Sequence, residues 1–208
     1  MKLTGKEVFL DRGEILYQKA AFTQEDFEKD FVVRSGNWCA EDGWLVGRNP
    51  ENAPGMTVLK QDCFGDVLLD FYGATIAPCD HDIDFMWNGS WDEEADQRGV
   101  AYVGGLSGWY NQKTGFEKSP DYKLNVTTPL FTFTPGQVYH IQAGSAQGHL
   151  FLVVDGQLIL EATDPDPIDT SRYGKIGFEA FCSQIKITNL TVRQLCYQEL
   201  KQTYVKDW

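Results

Sequence analysis

The 208-residue sequence predicts an all-β fold, a two-sheet antiparallel sandwich, on three observations. Short runs rich in β-branched and aromatic residues recur along the whole chain, with Gly, Asn, Asp or Pro about every ten residues. Helical patterns are nearly missing, and parallel strands would need long crossover helices between them. No segment repeats at a fixed period, which excludes propeller blades and solenoids.

The strand-like runs begin with Glu14–Gln18, Phe31–Arg34, Trp44–Gly47 and Met56–Leu59. Asp66–Tyr72, Ile83–Trp87 and Val100–Gly104 follow, and the polar, glycine-rich stretch Gly104–Tyr122 reads as a long loop. Val138–Ala143, Leu150–Val154 and Gln157–Glu161 come next, the last two joined by the hairpin signal Asp155-Gly156. Lys175–Ala180 and Gln184–Arg193 complete the set. Thr23–Lys29 predicts a single helical turn, with Thr23 as N-cap and Asp26 in the first turn. The tail Tyr197–Trp208 reads as either helical or extended. One domain is expected over residues 1–208, with the sandwich core at about 14–195 and a C-terminal tail at 196–208. A chain of this length buries a sizeable core without staples.

The formal net charge is −12, from 18 Lys and Arg against 30 Asp and Glu. Such a surface repels phosphate backbones and anionic headgroups, so neither nucleic acid nor a membrane is an expected partner. The N-terminus MKLTGKEVFLDRGEILYQ lacks an apolar stretch of signal-peptide length. Five cysteines, an odd number without CxxC spacing, read as reduced and mostly buried thiols, and the cytoplasm is the expected compartment.

Alternation directs attention to His81–Trp87. Ile83, Phe85 and Trp87 point one way, while Asp82, Asp84 and Met86 point the other. Trp87, Trp91, Trp109 and Tyr110 crowd the flanking segments. Aromatic faces stack on sugar rings and paired carboxylates accept hydrogen bonds from hydroxyls, so one reading is a sugar cleft. The other is core aromatics beside solvated acids. Within Gly104–Tyr122, Lys113, Glu117 and Lys118 supply charges able to meet a carboxylated sugar or move protons. Asp92, Glu93, Glu94 and Asp96 are hard oxygen donors, which keeps calcium open, but their spacing matches no calcium loop and a solvated acidic loop is preferred. No other cofactor is expected. His81, beside the acid pair, is the histidine favoured for catalysis; His140 reads as a satisfied core or sheet histidine. No HxH or HExxH spacing supports zinc, and no GxSxG, P-loop or GxGxxG anchors an esterase or nucleotide site.

Val138–Pro167 with its V-D-G turn, and Tyr173–Leu195 (YGKIGFEAFCSQIKITNLTVRQL), resemble the closing strands of concanavalin A-like lectin/glucanase domains. Phe27–Asn49 resembles the opening unit of the same domains, so the resemblance covers most of residues 22–195. Within that superfamily the chain looks most like the YesU-like family, and this implies a concanavalin A-like jelly roll with a link to rhamnogalacturonan (pectin) breakdown. The segment Asp82–Trp87 also resembles a degenerate glucanase signature, E-x-D-x-(x)-E. The resemblance puts Asp82 at the nucleophile position and Asp84 at its support, while the acid/base position falls on Met86 or Trp87, which transfer no proton. A missing acid would then come from Glu117 or His81.

The expected function is binding, with cleavage, of an oligosaccharide in a cleft on the concave sheet, by a glycoside hydrolase or a polysaccharide lyase. Asp82, Asp84, His81, Glu117 and Lys113 are the candidate catalytic residues. Trp87, Trp91, Trp109, Tyr110 and Lys118 are the candidate substrate contacts. The alternative is a non-catalytic, lectin-like module. Monomer and homo-oligomer stay equally open.

Overall fold

Two strands long enough to run through both layers organise the molecule. A computed structural model describes residues 1–109 and 112–201. In chain order its elements are β1 (Lys2–Leu3), β2 (Lys6–Phe9), β3 (Ile15–Lys19), α1 (Gln24–Asp30), β4 (Phe31–Val33), β5 (Asn37–Glu41) and β6 (Trp44–Leu59). There follow β7 (Val67–Thr75), β8 (Ile83–Gly89), β9 (Trp91–Asp92), β10 (Gln97–Arg98), β11 (Ala101–Trp109), β12 (Lys113–Ser119) and β13 (Asn125–Thr128). The last are β14 (Tyr139–Ala146), β15 (His149–Val154), β16 (Gln157–Thr163), β17 (Lys175–Gln194) and β18 (Cys196–Glu199).

The sandwich follows from how β6 and β17 bend. Trp44–Gly47 and Met56–Leu59, read from sequence as separate strands, are the two ends of β6, linked through the proline-bearing stretch Asn49–Pro54. Lys175–Ala180 and Gln184–Arg193 likewise merge into β17, whose register shifts between Phe181 and Ser183. Cys182 sits there with φ +52, the local kink that a bulge produces. The first half of β17 pairs with β8 and the C-terminal half of β6, giving the first layer, β13-β12-β11-β8-β17-β6-β4. Its second half pairs with β7, β3 and the N-terminal half of β6, giving a second layer with β14, β15, β16 and β5. The stretch Gly104–Tyr122 is not the long loop the sequence predicts: most of it is the β11–β12 hairpin. Its glycines mark close approaches within strands rather than turns. A Cβ on Gly104, for example, would stand 3.0 Å from the Phe85 ring.

Between the layers, inward residues interdigitate. Phe71 of the second layer meets Phe85 and Phe178 of the first edge-on, each with ring centroids 5.2 Å away. All three are fully buried. Helix α1 carries the expected Thr23 cap, whose Oγ1 accepts the Asp26 N–H at 3.1 Å while Asp26 accepts the Thr23 N–H. The small sheet β1-β2-β18 lies outside the span expected for the core and makes the start of the tail extended. The part of the tail from residue 202 lies outside the described residues. Among the five free thiols only Cys63 is fully buried, so the expectation of mostly buried cysteines is corrected. No helix of the described residues is long and apolar enough to cross a membrane. Because Phe71 fills the contact between layers, Phe71→Ala is expected to lower unfolding free energy by about 3–5 kcal/mol. Urea denaturation measures the change.

Candidate functional site

Alternation along β8 separates core from site. Ile83, Phe85 and Trp87 point into the core, where all three are fully buried. Asp84 and Met86 face the other way, and Asp82 precedes the strand with φ +72. Ladder register then places Glu179 of β17 opposite Asp84, Gly105 opposite Asp84 on the other side, and Gly115 beyond Gly105. The next row holds Met86, Val103 and Glu117. Met86 and Val103 join Met56, Val58 and Ala101 in an apolar patch distinct from the main core, which floors the outer face of the first layer.

Missing side chains make the site possible. A Cβ on Gly105 would lie 1.6 Å from Asp84 Oδ1, and one on Gly108 would lie 2.2 Å from Asp82 Oδ1. Trp109 turns back over the same glycines, so that Cβ atoms on Gly105 and Gly115 would meet its ring at 2.8 and 2.9 Å. The bend of β17 grips Asp82 from the far side. The Phe181 N–H donates to its carboxylate, and Ser183 Oγ donates to its backbone carbonyl at 3.1 Å.

The electrostatics are those of a crowded acid cluster. Asp82 and Asp84 are 3% and 8% exposed, and they hydrogen-bond to each other. The Oδ1 of each has no hydrogen-bond partner among the described residues. Burial, then the charge of Asp82, pushes Asp84 well above the ordinary carboxylate range, so it holds its proton. Burial raises Asp82 to about 6, against the hydrogen bond from Asp84. Arg98 donates to Glu179 and, at 3.3 Å, to Glu117. Burial works against its charge, but the two glutamates more than compensate. Glu117 is itself raised by burial, with Arg98 opposing and the Trp109 side chain in hydrogen-bonding reach.

These groups line a cleft of about 500 Å³ together with Pro54, Val103, Tyr122, Asn125 and Phe181. Pro54, Arg98 and Tyr122 also line a second hollow of about 440 Å³, which continues the groove past Met56 to Trp91. Asp82, Asp84, Glu117 and Trp109, all singled out from sequence, therefore share one cleft, and Trp91 stands in its extension.

Other expected site residues lie elsewhere. Trp87 is a core residue whose indole N–H donates to Ser145, because it alternates with Phe85 rather than Asp84. Lys118 faces the inter-layer side of β12, opposite Glu117, and pairs with Asp164 at 2.9 Å. Lys113 pairs with Trp109 across the hairpin and does not line the cleft. His81 binds Asp80 at 2.9 Å and lines a separate hollow with Cys79 and Cys182, although its charge is felt by Asp82. Tyr110 lies outside the described residues. His140 is a sheet residue, bonded to Asp70 at 2.7 Å and stacked on Tyr72. The acidic run disperses: Asp92 caps its own turn, Glu93 binds Arg34, and Asp96 accepts from Trp91. Among the described residues, no group of three or more His, Cys, Asp or Glu is placed to hold a metal ion.

Sequence reasoning missed Glu179 and Arg98. Glu179 was legible as a lone acid within an apolar strand, IGFEAF, on the face opposite Ile176, Phe178 and Ala180. Arg98 gave no comparable signal, sitting just beyond the acidic run.

The fold is an antiparallel β-sandwich of the jelly-roll kind, with an acidic cleft on the outer face of its first layer. No family model matches the chain, and none of the curated proteins matches it by sequence. Solved structures do match its fold. A protein of unknown function with a galectin-like fold from Bacillus subtilis is 16% identical, with a TM-score of 0.66, covering 88% of this chain and 97% of that one. The winged bean acidic lectin complexed with methyl-α-D-galactose is 10% identical, with a TM-score of 0.60 and coverage of 93% and 100%. A mutant of the alginate lyase Aly36B in complex with alginate trisaccharide is 14% identical, with a TM-score of 0.54 and coverage of 91% and 98%. At these identities the likeness is one of fold.

The raised Asp84 makes a signed prediction. It binds its proton more tightly folded than unfolded, so its contribution to stability is complete below about pH 4 and is lost as pH rises. Asp84→Asn removes that loss. Relative to wild type the variant is expected to gain stability progressively as pH rises above the ordinary carboxylate range. Urea unfolding at pH 4, 6 and 8 measures this, and a difference constant with pH would discard the buried-acid account.

Proposed function

We propose that the chain binds an oligosaccharide in this cleft and cleaves a glycosidic bond by hydrolysis. The observation that carries the reading is the buried Asp82–Asp84 pair, each with an unpartnered oxygen, set beside the face of Trp109 and across from Glu179. Stacking on Trp109 orients a sugar ring over the acid cluster, where the Glu117 and Glu179 carboxylates also line the cleft and accept hydrogen bonds from hydroxyls. Asp84, whose burial favours the protonated form, is the acid that donates to the glycosidic oxygen as the C–O bond breaks. Glu179, held by Arg98, is the carboxylate that supports the positive charge growing at the anomeric carbon; water then adds there and returns a proton to the Asp84 carboxylate. Neighbouring strands stand about 4.8 Å apart, which suits the close carboxyl spacing of a retaining pair. The carboxyl that β8 lacks at Met86 and Trp87 thus comes from β17.

Elimination is less well served, because a lyase places a cation on the uronate carboxylate. Lys113 and Lys118 do not line the cleft, and Arg98 is engaged by two glutamates. The carbohydrate reading draws support from the sugar-bound lectin and the lyase–trisaccharide complex among structures of the same fold. Resemblance to the YesU-like family supports a pectin-derived fragment, finished inside the cell, as one source of substrate. A non-catalytic binding module is the second reading, favoured by the absence of a third acid on β8 itself.

Incubation with a panel of oligosaccharides, followed by mass spectrometry of the products, separates the two. Hydrolysis adds one water per bond cut, elimination adds none, and binding without products leaves the module reading. For the hydrolase, Asp84→Asn and Glu179→Gln are each expected to lower kcat by about 10²–10⁴-fold while sugar binding persists. Trp109→Ala is expected to weaken sugar binding by about tenfold in calorimetry, from loss of the stacking face.

A further inference from the structure

The charge of the cleft narrows its substrate. Resting on the carbohydrate reading above, we infer that the groove selects sugars by charge, taking an amine-bearing sugar most tightly, a neutral one next, and excluding uronic acids. Four carboxyl groups line the main hollow, those of Asp82, Asp84, Glu117 and Glu179, and Arg98 is the one cation among its described lining residues. Arg98 is not free for a ligand, because its Nη1 donates to Glu179, its Nη2 to Glu117 and its Nε to Ser119 Oγ at 3.4 Å. The second hollow adds Asp96. A further cation on that side, the Arg34 guanidinium, lies over the Trp91 ring at 4.9 Å and is clamped by both oxygens of Glu93.

The remaining groups near the acid pair do not change the balance. Tyr122 is a phenol, and His81 is bound to Asp80 outside the hollow. Four carboxyl groups against the single guanidinium of Arg98 give the hollow an acidic lining, even with burial favouring the protonated form of Asp84. A uronate carboxylate brought here would meet like charges in a site of low dielectric, where repulsion is strong. An ionised carboxylate also donates no hydrogen bond to the lining carboxylates. A hydroxyl donates to the lining carboxylates, and a protonated amine both donates to them and offsets the charge. A pectin fragment would accordingly enter through its neutral sugars rather than its galacturonate.

The test presents gluco-, galacto- and manno-configured tetrasaccharides, each as the neutral sugar, the 2-amino-2-deoxy sugar and the uronate, to the whole chain in calorimetry at pH 7 and low salt. Within any backbone that binds, the amino form is expected to bind at least about tenfold tighter than the neutral form, and the neutral form at least about tenfold tighter than the uronate. Glu117→Gln is expected to shrink the preference for the amine. Lowering the pH from 7 to 5 has the same sign, as Asp82 takes up a proton around pH 6. Uronate binding as tight as the neutral form, or an amine preference indifferent to both Glu117→Gln and pH, would overturn the charge selection and leave the carbohydrate reading intact. Absence of binding by every sugar in every form would overturn both.

Discussion

The constraint on which the molecule depends is that β17 must serve two layers at once. Its first half presents Phe178 inward and Glu179 outward, beside β8 with the same division at Phe85 and Asp84. Its second half belongs to the opposite layer, where β7 brings Phe71 against both phenylalanines. The kink at Cys182 that allows this passage also positions Phe181 and Ser183 to bind Asp82. The bend that joins the layers and the bend that shapes the site are therefore the same piece of chain.

Placing ionisable groups at such a spot is costly to the fold. A buried carboxyl without full hydrogen bonding loses hydration that nothing wholly replaces. Here the loss is limited in two ways. Asp84 keeps its proton and shares it with Asp82, and Arg98 neutralises part of the charge on Glu117 and Glu179. The buried Oδ1 atoms of the pair are what these arrangements leave without a partner. Around them the glycines of β11 and β12 act by omission. Every larger residue at Gly105 or Gly108 would occupy the volume now held by the carboxylates.

How far the site could be read in advance depends on which contacts are local. Asp82 and Asp84 were legible because alternation within one strand separates them from Ile83, Phe85 and Trp87. The same rule puts Trp87 in the core, and an abundance of aromatics nearby was a poor reason to set it aside. Gly104–Tyr122 misled in an instructive way. Glycine serves both turns and close packing, and only the neighbour across the ladder reveals which. Lys118 and Glu117 were read together as site charges, yet they lie on opposite faces of β12 and serve different partners.

By itself the sequence determined the periodicities: two-residue alternation, frequent turn residues and scarce helix, from which an antiparallel sandwich follows through local sterics and burial. It also determined the N-cap at Thr23, the hairpin at Asp155-Gly156 and the outward aspect of Asp84, all set by residues close in the chain. Only the tertiary structure decided that β6 and β17 pass between layers, that Glu179 and Arg98 complete the acid cluster, and that Trp109 folds back over Gly105 and Gly115. Those outcomes rest on ladder register between segments remote in sequence, and a strand's own alternation says which face a residue takes but not what stands opposite it.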